Sequence, residues 1–172
     1  MARAIVVTVL LSLLISGTAF AGENYYVAMF TAGETRDGMN VNIADPYTPY
    51  EVWVWILPGD DGLKGFDFKI VIGDDICSTN TDNPDISVTL NSPTSSWGWV
   101  GSFGSGLCQY DWVWLTKLDM LAVSTDPHHI EIVDNPKSHA VEASTCLEGY
   151  PIVDMIVYNS FGINAPGEVE AR

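Results

Sequence analysis

Basic residues are scarce in this sequence of 172 residues. Seven Lys and Arg residues stand against 22 Asp and Glu residues, which gives a formal net charge of −15 at pH 7. A surface of that charge repels the phosphates of nucleic acids and anionic lipid headgroups. We therefore expect no nucleic-acid partner, whereas neutral ligands and divalent cations remain compatible with the charge.

The sequence also lacks the short motifs of several enzyme classes. It contains no Gly-x-Ser-x-Gly nucleophile elbow, no phosphate-binding loop and no dinucleotide-binding fingerprint. It has no Cys-x-x-Cys pair, which removes the usual spacing for zinc ligation and for thioredoxin-like redox chemistry. Carboxylates that cleave glycosidic bonds need only spatial proximity, and the sequence selects no such pair. We expect a protein that is not an enzyme.

Long apolar runs are absent beyond the first residues. Arg3, the apolar run Ala4–Ile15 and the small residues Ala19 and Ala21 follow the order of a secretory signal peptide. The run is short for a membrane span, although an uncleaved anchor is the alternative. Cleavage after Ala21 leaves residues 22–172 as a single domain, and the loss of Arg3 lowers its net charge to −16. We expect a secreted, periplasmic or cell-surface protein without a further membrane span.

Cysteines are few, and all three lie in the predicted mature domain, as Cys77, Cys108 and Cys146. An exported protein with cysteines usually forms disulfides. Three cysteines allow one bridge and one remaining thiol, and the residues alone leave all three pairings open.

Helical signals are missing as well. No window combines a helical period with caps, whereas short β-branched and aromatic segments alternate with Gly, Pro, Asn and Asp. An antiparallel all-β sandwich, immunoglobulin-like or jelly-roll, fits this pattern, and a small closed β-barrel is the alternative. We predict nine strands, near Asn24–Thr31, Pro49–Leu57, Leu63–Ile72, Asp85–Leu90, Trp97–Gly101, Gln109–Val123, His129–Val133, Ala140–Ser144 and Ile152–Tyr158.

The most unusual feature that is present is the spacing of the tryptophans. The six form three pairs, each separated by one residue: Trp53 and Trp55, Trp97 and Trp99, Trp112 and Trp114. This spacing puts both members of a pair on one face of a strand. Six buried tryptophans would crowd the core of one small domain, so we expect two or three in the core and the others partly exposed.

The surroundings of each pair predict which tryptophans are exposed. The Val-Trp-Val-Trp strand is apolar on both faces, which is typical of a central strand covered on both sides. Glycines surround Trp97 and Trp99, so we expect this pair on a mobile connection, more exposed than the pair in the Val-Trp-Val-Trp strand. Exposed tryptophans bind sugars or proteins. The predicted ligand-binding residues are Trp97, Trp99, Trp112 and Trp114.

Acidic turns suggest a calcium site. Asp74, Asp75, Asp82 and Asp85 lie close in the sequence, and their carboxylates could converge in one loop as oxygen ligands. Solvated turn residues are the alternative interpretation. These four aspartates are the predicted calcium ligands, and we expect no other cofactor.

Four segments carry a resemblance to known proteins: GENYYVAMFT after the leader, LKGFDFKIVIG, SGLCQYDWVWLTKLDML and STCLEGYP. Together they resemble a group of small exported bacterial proteins of unknown function, which are similar to cohesin-type and carbohydrate-binding-type β-sandwiches. The resemblance covers most of the mature chain and implies an immunoglobulin-like or jelly-roll sandwich outside the cell. It also implies a disulfide between Cys108 and Cys146, with Cys77 free.

Two functions are compatible with these observations. The first is a secreted, non-catalytic interaction or structural module of the cell envelope or extracellular matrix, with a protein partner. The second is a glycan-binding module that stacks sugars on exposed tryptophans. The resemblance does not distinguish between a protein ligand and a sugar ligand.

Overall fold

The computed structural model describes residues 24–169, and this range contains twelve β-strands and no helix. No part of it therefore has the long apolar helix that would cross a membrane. The signal peptide predicted for residues 1–21 lies outside the described residues. The strands are β1 (Tyr25–Phe30), β2 (Asn40–Val41), β3 (Pro49–Leu57), β4 (Leu63–Val71), β5 (Ile76–Asp82), β6 (Ile86–Leu90), β7 (Trp99–Phe103), β8 (Val113–Ala122), β9 (His128–Val133), β10 (Glu142–Thr145), β11 (Ile152–Val157) and β12 (Phe161–Ile163).

All nine predicted strands are confirmed, and three strands were missed. β2 and β12 are too short to show a periodic pattern. β5 has the sequence ICSTNTD, which is mostly polar, yet it pairs with β8 along all seven residues. Its partner strand supplies the hydrogen bonds that its own composition does not predict, because strand propensity depends strongly on context.

One layer of the sandwich, here called the first sheet, has the strand order β11-β1-β3-β8-β5. Its neighbours are antiparallel except β1 and β11, which run parallel. β3 and β8 form its centre and pair over the longest stretch, from Pro49 opposite Leu121 to Ile56 opposite Val113. The first sheet is therefore built around β3 and β8.

In the second sheet, β4 is the central strand. It pairs with β7, which pairs in turn with β6, and it also pairs with β9 and β10. β12 and β2 continue the sheet beyond β9. The first half of β11 pairs with β10 and its second half with β1, so β11 links the two sheets. The strand path has two ends, β2 and β5, so the closed-barrel alternative is wrong.

The core lies between the two sheets because each strand turns alternate side chains inward. In β3 the inward set is Tyr50, Val52, Val54 and Ile56, and the tryptophans face out. The main core cluster includes Val27 and Met29 of β1, Val52, Val54 and Ile56 of β3, Phe66, Phe68 and Ile70 of β4, and Leu118 and Met120 of β8.

Trp99 also belongs to this core, which corrects the expectation that it is exposed. Its side chain is 0% exposed, and its ring lies 4.5 Å from the ring of Phe66 and 5.5 Å from that of Phe68. A side chain at Gly101 would collide with the ring of Phe66, so this glycine permits close packing. The exposure predicted for Trp97 is confirmed, since 58% of it is accessible.

The disulfide joins Cys108 to Cys146, as the resemblance implied, with the two Cα atoms 6.0 Å apart. It ties the loop after β7 to the residue that follows β10. Cys77 is a free, exposed thiol on the edge strand β5. The bridge therefore connects two segments that are distant in sequence at one end of the sandwich.

A second connection, a polar cluster, links the start of β5, the end of β8 and the start of β9. The hydroxyl of Ser124 donates a hydrogen bond to Asp75 Oδ2 at 2.7 Å, and His128 Nε2 lies 2.8 Å from the same oxygen. Asp75 precedes β5, Ser124 follows β8 and His128 begins β9. The bond from Ser124, together with His128, holds the pKa of the Asp75 carboxyl below its ordinary value of 3.8.

Replacing Trp99 with alanine should lower the free energy of unfolding by about 3–5 kcal/mol, as for a fully buried aromatic residue. The same change at Trp97 should cost no more than about 1 kcal/mol, because it removes only an exposed ring and its contact with Lys137. Chemical denaturation of the two variants measures both values. Equal losses would contradict the placement of Trp99 in the core.

Replacing both Cys108 and Cys146 with serine should lower the free energy of unfolding by about 4 kcal/mol, since the bridge closes a loop with a sequence separation of 38. The variant Cys77→Ser is the matched control and should unfold like the wild type. Peptide mapping under non-reducing conditions checks the pairing directly. An intramolecular bridge that contains Cys77 would refute it.

The variant Asp75→Asn should be less stable than the wild type at neutral pH, because the folded state favours the ionised carboxylate. That contribution is complete above the ordinary carboxyl pKa and is lost as the pH falls through the lower folded-state value. The stability gap between variant and wild type should therefore shrink below about pH 4. Denaturation curves across that range test this, with the exposed neighbour Asp74→Asn as control. A gap independent of pH would contradict the prediction.

Candidate functional site

The outer face of the first sheet carries most of the tryptophans. Because Val52, Val54 and Ile56 point into the core, Trp53 and Trp55 must point outward from the same strand. In the register of the sheet, Trp55 stands opposite Ala28 of β1 and Trp114 of β8. This arrangement gathers aromatic residues from three neighbouring strands on one surface.

These residues form a second hydrophobic cluster, separate from the core, which we call the aromatic face: Phe30, Trp53, Trp55, Trp112 and Trp114. The rings of Trp53 and Trp114 meet edge to face, with centroids 5.4 Å apart at 72°. Those of Phe30 and Trp112 do the same at 6.2 Å and 72°. Each such pair adds about 0.5–1.5 kcal/mol beyond simple burial, so the rings hold one another in place.

The segment 31–39 crosses over part of this face. A side chain at Gly33 would meet the indole of Trp53 at 2.8 Å, so the backbone lies directly on that ring. Further along, the guanidinium of Arg36 lies 5.3 Å from the ring centroid of Trp55 and 5.3 Å from that of Trp112. Met39 packs against the same cluster. The segment leaves Trp55 only 7% exposed, while Trp53, Trp112 and Trp114 stay partly exposed.

A pocket of about 240 Å³ opens beside the segment. Its walls are predominantly aromatic and aliphatic, and Arg36 and Thr35 supply polar groups at its rim. The full lining is Tyr26, Phe30, Thr35, Arg36, Leu57, Trp112 and Tyr158. The aromatic face therefore has both a partly exposed surface and one concave feature.

The other half of the same sheet surface is polar. The ammonium of Lys117 lies 2.8 Å from a carboxylate oxygen of Asp119 and 3.1 Å from one of Glu51. Hydrogen bonds from its ammonium to the carboxylates of Asp119 and Glu51 raise the pKa of Lys117. A bulge in β8 between Trp114 and Thr116 changes the alternation, so that Trp114 and Lys117 both lie on the outer face. The surface thus has a charged half and an aromatic half.

The structure does not bring the four predicted ligand-binding tryptophans together. Trp112 and Trp114 lie on the aromatic face, whereas Trp99 is in the core and cannot contact a ligand at the surface. Trp97 belongs to the connection before β7 in the second sheet, where the ammonium of Lys137 lies 4.4 Å from its ring centroid. The predicted set therefore does not form one binding surface.

Sequence reasoning missed Trp53, Phe30 and Arg36 as members of this surface. The sequence contains a signal for Trp53, because the spacing of Trp53 and Trp55 matches that of Trp112 and Trp114 and the valines beside Trp53 suit a core better. Arg36 gave no signal, because its position depends on how the segment 31–39 folds back over β3.

The structure does not bring together the four aspartates that were predicted to bind calcium. Asp74 and Asp75 precede β5, whereas Asp82 ends it and Asp85 follows it. Seven residues of extended strand separate the two groups by about 20 Å, too far for one ion. Residues 24–169 contain no group of three or more His, Cys, Asp or Glu side chains placed to hold a metal.

The cluster of Ser124, Asp75 and His128 does not have the geometry of a catalytic triad. In such a triad the imidazole lies between serine and carboxylate and uses one ring nitrogen for each. Here Nε2 of His128 faces both groups, at 3.4 Å from Ser124 Oγ and 2.8 Å from Asp75 Oδ2. The serine hydroxyl donates a hydrogen bond to the carboxylate instead. The cluster therefore stabilises strand ends and does not activate a nucleophile.

No protein-family profile matches the sequence, and no curated protein matches it in a sequence comparison. Solved structures do match it. The seventh ScaB type I cohesin from Pseudobacteroides cellulosolvens has a TM-score of 0.54 at 13% identity, over 81% of this chain and 90% of that one. A non-cellulosomal cohesin from the archaeon Archaeoglobus fulgidus gives 0.54 at 11% identity, over 83% and 92% respectively.

A third similar structure is a type I cohesin–dockerin complex from Clostridium thermocellum. It has a TM-score of 0.56 at 10% identity, and the match covers 81% of this chain and 97% of that one. At such low identity the likeness concerns the fold. The protein is an all-β sandwich with a cohesin-like fold, as the resemblance implied.

Proposed function

We propose that the protein is a non-catalytic protein-binding module and that its partner contacts the aromatic face. The observation that carries this proposal is the concentration of three partly exposed tryptophans, with Arg36 and the pocket beside it, on one outer sheet surface. Trp, Tyr and Arg dominate the energetics of protein interfaces, where they cluster at the centre of the contact. A shared fold with a cohesin that was solved in complex with a dockerin supports a protein partner.

The geometry of the rings favours a protein over a sugar. A sugar ring stacks best on a flat, open aromatic surface, whereas the two ring pairs of the aromatic face meet at 72°. Trp97 is open to solvent, but the ammonium of Lys137 occupies one of its ring faces. An uneven aromatic surface with a small pocket is better suited to interlocking side chains.

We place this module outside the cytoplasm. The disulfide between Cys108 and Cys146 supports an oxidising compartment, where such bridges persist. The order of charged, apolar and small residues at the start of the sequence supports export by the secretory route. An envelope or extracellular module of this kind would connect proteins and would carry out no reaction itself.

The test is to capture exported proteins of the organism that encodes this chain on immobilised mature protein, and to titrate the purified partner. Trp114→Ala should weaken binding by about 30-fold or more, as for a central interface tryptophan. Trp97→Ala is the matched control and should leave the affinity unchanged. Near-ultraviolet circular dichroism checks that both variants are folded.

The opposite pattern would overturn the proposal. If Trp97→Ala abolished binding and Trp114→Ala did not, the contact surface would lie on the second sheet. If a glycan array gave specific binding that Trp97→Ala removed, while no protein partner was captured, the glycan-binding alternative would hold.

A further inference from the structure

Within the described residues, Arg36 has no counter-ion, although the protein is strongly acidic. No carboxylate of the described residues lies within 4.0 Å of its guanidinium, although the chain contains 22 Asp and Glu residues. The nearby Asp37 accepts a hydrogen bond from the hydroxyl of Thr35 at 2.8 Å instead. The cation on the same sheet surface, Lys117, is paired with two carboxylates. The charge of Arg36 is therefore available to a ligand.

The surroundings of Arg36 hold it in place for such a contact. Its guanidinium lies between two indoles, those of Trp55 and Trp112, at 5.3 Å from each centroid. Cation–π contacts fix the position of a guanidinium without using its N–H donors. None of the described residues accepts a hydrogen bond from these donors. They are thus positioned to bind a carboxylate in a bidentate manner.

The backbone at Arg36 is unusual for an arginine. Its φ is 50°, in the left-handed region that Asn, Asp and Gly adopt far more readily. The turn is closed by a hydrogen bond from the Arg36 N–H to the carbonyl of Ala32. Residues with such backbone conformations are concentrated at functional sites, where the conformation positions a side chain for its function. Here the conformation sets the guanidinium at the rim of the pocket.

The size of the pocket sets the kind of group that enters it. At about 240 Å³ it is smaller than the ~300–1,000 Å³ of typical small-molecule sites. Its walls, among them Phe30, Leu57 and Tyr158, are mainly apolar. The space therefore suits one apolar side chain, with a neighbouring anionic group reaching Arg36 at the rim.

We propose that Arg36 and its pocket recognise a partner-protein segment in which an Asp or Glu residue stands next to an apolar residue. This inference rests on the proposed function and specifies the chemistry of the partner. The apolar side chain fills the pocket and the carboxylate pairs with the guanidinium. The acidic surface of the protein repels such a segment in general, so its binding depends on the local contact with Arg36.

Two capped dipeptides test this selectivity: N-acetyl-Phe-Asp-amide and its neutral isostere N-acetyl-Phe-Asn-amide. Shifts of the tryptophan indole N–H signals in NMR spectra of the mature protein report binding. The Asp peptide should bind about tenfold or more tightly, as expected for a charge-assisted hydrogen bond. High salt should reduce the difference. Equal affinities, or shifts confined to Trp97, would overturn the inference.

Variants separate the role of Arg36 from a general effect of charge. Arg36→Met should abolish the preference for the Asp peptide, and Arg36→Lys should keep part of it. Lys137→Met is the matched control, because it removes the cation that contacts Trp97 on the other sheet. An unchanged preference in Arg36→Met would overturn the inference.

Glucuronate, with neutral glucose as its control, is a second probe of the site. If glucuronate shifted the indole N–H signals at concentrations at which the Asp peptide caused no shift, the occupant of the pocket would not be a protein segment. If the wild-type protein showed no preference for the Asp peptide while binding of the captured partner still depended on Trp114, this inference would be refuted and the proposed function would stand.

Discussion

Strand β3 carries apolar side chains on both faces, and the alternation of its backbone decides which set enters the core. The aliphatic set, Val52, Val54 and Ile56, belongs to the core cluster, which also contains residues of β4 and β7. A slip of one residue would exchange the two sets, so the register of β3 fixes the outward position of Trp53 and Trp55. Trp53 and Trp55 consequently need a cover of their own outside the core. The aromatic face is the direct result of this constraint.

That cover is incomplete, and its incompleteness supports the binding role that we propose. The segment 31–39 shields Trp55 with Arg36, whereas Trp53, Trp112 and Trp114 remain partly exposed. A soluble domain seldom leaves a connected group of large aromatic rings at its surface without a partner. The edge-to-face rings and Arg36 give this surface a definite shape and a local positive charge.

The fold was largely predictable from the sequence, because most of its strands are short apolar segments bounded by Gly, Pro, Asn or Asp. The packing of the folded protein agrees with this local pattern. β5 was not, since its polar residues form a strand only in the presence of β8. Trp99 was misplaced for a different reason. Glycines near a tryptophan are typical of a mobile segment, whereas here Gly101 leaves room for the ring of Phe66 to pack closely against the backbone. Arg36 was beyond prediction, because a loop places it over residues distant in sequence.

Hydroxyl-radical footprinting of the six tryptophans, in the free protein and with its partner bound, tests whether the aromatic face is the contact surface. In the free protein, Trp97 should react fastest, Trp55 and Trp99 slowest, and the remaining three at intermediate rates. Partner binding should protect Trp53, Trp112 and Trp114 and leave Trp97 as reactive as before. Protection of Trp97, with the reactivity of Trp53, Trp112 and Trp114 unchanged, would show that the aromatic face is not the contact surface.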